Sequence, residues 1–199
     1  EGAPGRSEGT MEITLSILVG IGLAAACGFR VFVPFLVVSI AALGGHLELS
    51  PGFEWIGTYY ALAAFAVATL LEIAAYYIPW LDNLLDTITT PAAVVAGAVI
   101  AASVISDMSP FLRWAMAVIV GGGTAAAVQA STVTVRTASS VSTGGVANPV
   151  VSTGELGGSA VVATLAVVLP IAAVVLLLAM AVLLTRFRRW TQRARRCVS

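Results

Sequence analysis

Charge is what this sequence has least of. Only 10% of its 199 residues are charged, against about a quarter in ordinary soluble domains. Lysine is absent, which excludes Schiff-base chemistry and lysine-bound retinal or pyridoxal phosphate. There is a single histidine, His46, in an apparent loop, too little for a metal site or a general base. The two cysteines are far apart in kind. Cys27 lies inside an apolar run and Cys197 in a basic tail, so they read as a small buried residue and a tail thiol rather than a disulfide. No HExxH, phosphate-loop or aspartate-rich diphosphate motif occurs. An enzyme is therefore not expected, nor any metal or cofactor. The absence of a basic, aromatic soluble surface removes nucleic acid as a partner.

What fills the chain instead is apolar. Hydrophobic residues make up 59% and the mean hydropathy is +0.99. The apolar runs approach or exceed the ~18–20 residues that span a bilayer, so the expected class is an all-α polytopic membrane protein. Residues 1–10 read as a tag or disordered extension, and no cleavable signal is evident. Residues 11–185 form one transmembrane domain. Residues 186–199 form a basic tail holding six of the ten arginines, which the positive-inside rule places in the cytoplasm.

Five apolar blocks stand out. The first, 12–44, would be ~48 Å long as one helix, more than a bilayer needs. It is interrupted at Gly28-Phe29-Arg30-Val31-Phe32-Val33-Pro34 and reads as a broken or re-entrant helix. The second, 57–79, ends in Tyr76, Tyr77 and Trp80, which read as an interfacial belt. Residues 79–90 have the spacing of a short amphipathic helix lying in the interface, with Asp82 and Asp86 on one solvated face. A span over 91–106 follows, then a block from Phe111 to about Ala130. Residues 131–154 are rich in Ser, Thr and Gly. The last span covers 159–185.

Val19-Gly20-Ile21-Gly22-Leu23-Ala24-Ala25-Ala26 returns 101 residues later as Val120-Gly121-Gly122-Gly123-Thr124-Ala125-Ala126-Ala127. At the same offset Ser39 meets Ser140, Gly44 meets Gly145, Glu54 meets Glu155 and Gly57 meets Gly158. This reads as two repeats, about 12–79 and 112–185, each a broken or re-entrant helix plus a transmembrane helix. If each long block crosses once, the repeats are inverted and Arg113 lies inside. If each crosses twice, they are parallel. Arg113 favours the inverted arrangement. The repeat also places 131–154 wholly or partly at membrane depth, against protein or water.

The candidate functional residues follow from charge in an apolar setting. Arg30 and Arg136 lie in blocks assigned to the membrane, where a cation costs at least ~2.5–3.5 kcal/mol and arginine suits a fixed carboxylate or phosphate. Ser142, Thr143 and Asn148 would line a path beside them. Glu72 is the expected counter-ion or coupling group for Arg30, and Glu54 and Glu155 the expected gating or helix-end acids. Gly20, Gly22, Gly121 and Gly123 form small-xxx-small faces at which the two copies would cross, or through which a homo-oligomer would form.

Four segments together are similar to a known family: GFRVFVPFL at 28–36, IPWLDNLLD at 78–86, VGGGTAAAVQ at 120–129 and RTASSVSTGGVANPVVSTGE at 136–155. The chain resembles the small bacterial inner-membrane family catalogued as domain of unknown function 4126, over about 11–185. That resemblance implies a bacterial inner-membrane location and no established activity. The Arg30-to-Pro34 spacing is also similar to re-entrant segments of lipid-carrier flippases of the DedA type. The expectation is a small transporter binding an anionic solute between the repeats, in contact with membrane lipid. An anionic lipid-carrier flippase and a non-transporting membrane scaffold or assembly factor are the alternatives.

Overall fold

The structure is a computed structural model that describes residues 5–76 and 79–196. For 5–8, 79–86, 184–185 and 187–196 only the backbone is described, so the sequence readings of Tyr77, Trp80, Asp82, Asp86 and Cys197 lie outside the described side chains. The described residues form helices without strands: α1 (Gly5–Phe29), α2 (Phe32–Leu43), α3 (Tyr59–Tyr76), α4 (Pro79–Val104), α5 (Pro110–Met116), α6 (Gly123–Thr143), α7 (Asn148–Val168) and α8 (Pro170–Arg196). A 3-10 turn, Glu54–Gly57, precedes α3, and a π-helical stretch, Ala117–Gly122, joins α5 to α6. Five segments are long and apolar enough to cross a membrane: Gly9–Phe29, Tyr59–Tyr76, Thr87–Val104, Pro110–Thr143 and Asn148–Val168.

The first block breaks where expected. α1 stops at Phe29 and α2 starts at Phe32, so Pro34 falls in a first turn, where the missing N–H is no loss. α2 then folds back. Its start lies beside Glu72 of α3. Its end lies beside Gly57, in a loop whose Ser50 donates to the carbonyls of Ser103 and Ile105 at the end of α4. At 12 residues it is ~18 Å long, too short to cross the ~30 Å hydrocarbon core.

Four expectations are corrected. Residues 79–90 are not a separate interfacial helix, because α4 runs unbroken through Pro91 to Val104; neighbouring helices tolerate a proline in such spans. The span over 159–185 is two helices, divided at Leu169 (φ −140°, ψ 71°) before Pro170. The polar 131–154 segment, by contrast, lies largely within two of the membrane-length segments, Pro110–Thr143 and Asn148–Val168, and is mostly helical. Its hydroxyls bond back to carbonyls four residues earlier, from Ser131, Thr134, Thr137 and Thr143, so they need no external partner. Only 144–147 form a turn between α6 and α7, entered through Gly144 (φ 63°) and Gly145 (φ 87°), the left-handed geometry that closes helices on glycine.

The third and fourth corrections concern the small-residue faces and the sense of the matched halves. Gly20 and Gly121 do not meet each other; both meet Ala101 of α4. Gly22 packs on Ala166 and Ala173, while the surroundings of Gly123 are open. α4 thus packs against both glycine runs, while α1 and α6 touch directly further along, where Gly28 meets Val128 and the Ala125 carbonyl. Gly20 is beside Ala101 while Tyr76 joins Arg30 to Thr89. Gly121 is beside Gly97 and Ala101 while Gln129 reaches Thr89. α1 and α6 therefore both run antiparallel to α4 and parallel to each other. The inverted sense expected for the matched halves does not hold for these helices.

The core is α1, wrapped by α4, α6, α7 and α8. Leu23 to Cys27 are fully buried, with Ala93, Ile100, Ala125, Ala163 and Ala166 against them. Small side chains let the backbones approach closely, which is how apolar helices gain packing energy in lipid. Large apolar side chains such as Leu70, Val95, Ile119, Val161 and Leu178 face outward. Exposed aromatics gather where α3 and α5 begin: Trp55, Tyr59, Tyr60, Phe111 and Trp114. That is an interfacial belt, at the opposite end of α3 from Tyr76, which is buried.

A Cβ at Gly121 would lie 2.6 Å from both Ala101 Cβ and the Gly97 carbonyl oxygen. Gly121→Ala is expected to lose ~1–3 kcal/mol by overpacking, seen as a lower Tm in detergent. Gly123→Ala, with nothing within 4 Å, should be neutral or gain up to ~1 kcal/mol from helix propensity.

Candidate functional site

Arg30 follows the last residue of α1. Its N–H donates to Ala26 O at 3.1 Å, and its charge sits at the carbonyl end of the helix, where a cation is favoured. The side chain is 2% exposed and crosses to α7, where NH2 donates to Ser152 O at 2.9 Å and to the Ser152 hydroxyl. Arg136, 4% exposed, comes from α6. Its Nε donates to Glu155 Oε1 at 2.9 Å and its NH2 to Glu155 Oε2, the two-point grip that arginine makes on a carboxylate. Glu155 Oε2 is also 3.7 Å from Arg30 NH2. Two cations thus share one carboxylate.

Tyr76, the last residue of α3, completes the cluster. The guanidinium carbons of Arg30 and Arg136 lie over its ring, 3.7 and 4.1 Å from the centroid, a cation–π arrangement strengthened by burial. The Tyr76 hydroxyl donates to Thr89 Oγ1 of α4 at 3.4 Å, and Gln129 Nε2 of α6 donates to the same oxygen at 3.3 Å. Glu72 is close, but its oxygens are spent on backbone. Oε1 accepts the Val31 N–H at 2.8 Å and Oε2 the Phe32 N–H at 3.2 Å. It caps α2, whose own N-cap residue Val31 offers no side-chain acceptor, and so serves the backbone rather than the Arg30 head group. After these assignments, Arg30 Nε and NH1 are buried without a hydrogen-bond partner among the described residues. Unmet donors on a buried charged group cost several times a normal hydrogen bond.

The structure brings together Arg30, Arg136, Glu155 and Glu72, and leaves the other expected site residues apart. Ser142 and Thr143 are exposed at the end of α6 and bond to its own carbonyls. Asn148 pairs with Ser140 at 3.0 Å. These three hold the α6–α7 turn instead of lining the cluster. Glu54, matched in sequence to Glu155, is exposed in the 44–58 loop, where it accepts the Gly52 N–H at 2.9 Å. Bonds from its own backbone N–H and then from that of Gly52 hold its carboxyl below its ordinary value. Tyr76, Thr89 and Gln129 were not anticipated in the site, whereas the Ser152 hydroxyl is one of those expected beside the 142–149 turn. Gln129 and Thr132 are buried polar residues on the same helix as Arg136, and that spacing was the available signal.

Depth follows from helix length. Tyr76 lies ~26 Å along α3 from Tyr59, Arg136 ~33 Å along from Trp114, and Thr89 ~22 Å along from Val104, at 1.5 Å per residue. The cluster therefore lies in the half of the bundle away from the aromatic belt.

A family model described as a domain of unknown function (DUF4126) matches residues 17–190. No curated protein and no solved structure matches the chain. The chain belongs to the DUF4126 family.

Removing one partner of a buried ion pair strands the other. Glu155→Gln is expected to cost ~3–5 kcal/mol, and Arg136→Gln in the same chain should restore part of that, read by thermal unfolding in detergent. Glu72→Gln keeps one acceptor for the two amides and should cost less, ~1–2 kcal/mol. For Glu54 the sign runs with acid. A depressed folded pKa contributes stability at neutral pH that is lost as pH falls through it, so Glu54→Gln should flatten the acid limb of the Tm–pH profile.

Proposed function

We propose that this member of the DUF4126 family is a small membrane transporter whose cargo carries an anionic group held by Arg30 between the α1–α2 turn and α7. The observation that carries this reading is the buried Arg30 side chain, with Nε and NH1 unpartnered while the nearest carboxylate, Glu155, is gripped by Arg136. A charge that serves only structure is normally matched on all its donors, because the cost of leaving them dry is high. Intramembrane ionisable residues of this kind commonly mark a solute path.

On this reading Arg136 and Glu155 form the fixed frame. Glu155 neutralises the site in the absence of cargo, and the incoming anion takes over the compensation of Arg30. Glu72 holds the turn that carries Arg30. α2 is a re-entrant segment, the matched glycine runs are the trace of two repeats of the same sense, and the arginine-rich end of α8 faces the cytoplasm of a bacterial inner membrane. A non-transporting scaffold, with both arginines as structural pairs, is the reading from a different class.

The two separate in proteoliposomes. The wild-type protein should move at least one of inorganic phosphate, succinate and fluorescent phosphatidylglycerol faster than protein-free vesicles do, and Arg30→Gln should slow that movement at least ~10-fold, the equivalent of ~1.4 kcal/mol. No protein-dependent movement of any of the three, or equal rates in the variant, leaves the scaffold.

A further inference from the structure

We infer that the anionic group taken by Arg30 is the phosphate of a membrane lipid, reaching the cluster sideways from the leaflet opposite the aromatic belt. The inference rests on the anion site proposed above and narrows its ligand.

Depth is the first argument. Most of the cluster comes from near the ends of its helices: Arg30 just beyond α1, Tyr76 closing α3, Ser152 and Glu155 in the first two turns of α7, and Arg136 two turns before the end of α6, while Thr89 and Gln129 sit deeper within α4 and α6. The cluster lies ~22–33 Å along the helices from the aromatic belt. Lipid phosphates reside at that level, just outside the ~30 Å hydrocarbon core. A binding group there meets a head group without drawing it through the acyl region.

The second argument is the thinness of the wall. Leu71, Ile88 and Val135 are exposed apolar side chains, and each directly adjoins a cluster residue: Glu72, Thr89 and Arg136. On α3, α4 and α6, one face therefore holds the cluster while the adjoining face meets acyl chains. A single helix separates the charges from lipid on these sides. In the direction of the belt the barrier is deep, built from Leu23, Ala24, Ala25, Ala93, Ile100 and Ala166, all fully buried.

The third argument is chemistry. Arg30 presents unpartnered N–H donors in two directions, Nε and NH1, beside the Tyr76 ring. A phosphate offers acceptor oxygens in several directions, where a carboxylate offers two in a plane. Tyr76 and Ser152 supply the amphipathic surround that suits a head group with an apolar body.

The test compares lipid with aqueous ion on the full-length protein in a neutral detergent. Thermal unfolding is followed while phosphatidylglycerol, phosphatidylcholine or inorganic phosphate is added. Phosphatidylglycerol is expected to raise Tm saturably, by several degrees, while phosphatidylcholine and inorganic phosphate at millimolar concentration do little. Arg30→Lys, which keeps the charge but loses the fork, should weaken the apparent affinity at least ~10-fold, whereas Arg113→Gln, at the belt end, should leave it unchanged. Arg30→Gln should abolish the shift, and Arg30→Lys gives the answer if Arg30→Gln does not fold. An Arg30-dependent shift with inorganic phosphate equal to that with lipid overturns the lipid assignment and leaves the anion site standing. A lipid shift insensitive to Arg30→Lys also overturns the lipid assignment. No Arg30-dependent shift with either probe overturns the anion site itself.

Discussion

Glu155 is the point on which the polar interior depends. Two guanidinium groups enter the bundle and, with the Glu72 carboxylate spent on backbone amides, Glu155 is the carboxylate that lies within reach of both. Without it, two like charges would face each other at low dielectric, where their repulsion is severalfold larger than in water. Its position in the second turn of α7 also decides where that helix sits against α1. Ser152, one turn earlier, receives Arg30. Ser159, one turn later, donates to Ala26 O at 2.9 Å. A single face of α7 thus satisfies the carbonyl end of α1 and anchors the arginine that follows it.

The apolar half of the bundle obeys a different constraint. α4 packs against two helices of like direction, and contact at Gly97, Ala101, Gly121 and Ala125 leaves no room for a further carbon. In lipid there is little hydrophobic drive to bring helices together, so close backbone approach does that work. The π-helical stretch Ala117–Gly122 occurs where α5–α6 crosses α4 most closely. Such stretches widen one turn of a helix and are frequent at functional sites.

The sequence made some of this legible and hid the rest for identifiable reasons. Arg30, Arg136, Glu72 and Glu155 were visible because charge inside an apolar chain must be compensated, whatever the fold. The break at Arg30 and Val31 was visible from length and proline. Tyr76 was misplaced because a tyrosine ending an apolar run looks the same whether it faces head groups or stacks under two cations. Ser142, Thr143 and Asn148 were drawn into the site by composition, whereas a hydroxyl that bonds its own helix leaves no trace in a list of polar residues. The glycine runs were read as touching each other. One-dimensional matching cannot reveal that a third helix takes up both runs, nor can it give the sense of two segments whose matched residues, such as Glu54 and Glu155, do unrelated work.

The turn and Arg30 are built from consecutive residues, and this ties the proposed anion site to the shape of the chain. Arg30 is held by α7, while the amides of Val31 and Phe32 are held by Glu72 of α3. An anion that draws the Arg30 head group away from Ser152 loosens the link between α1 and α7, yet leaves the Glu72 clamp on α2 intact. The barrier toward the aromatic belt consists largely of alanine, glycine and short branched side chains. Few of these have a rotamer that could swing aside to open a path. A cargo that crossed the whole bundle would have to part helices as rigid bodies, and close-packed interiors switch between such arrangements instead of deforming gradually.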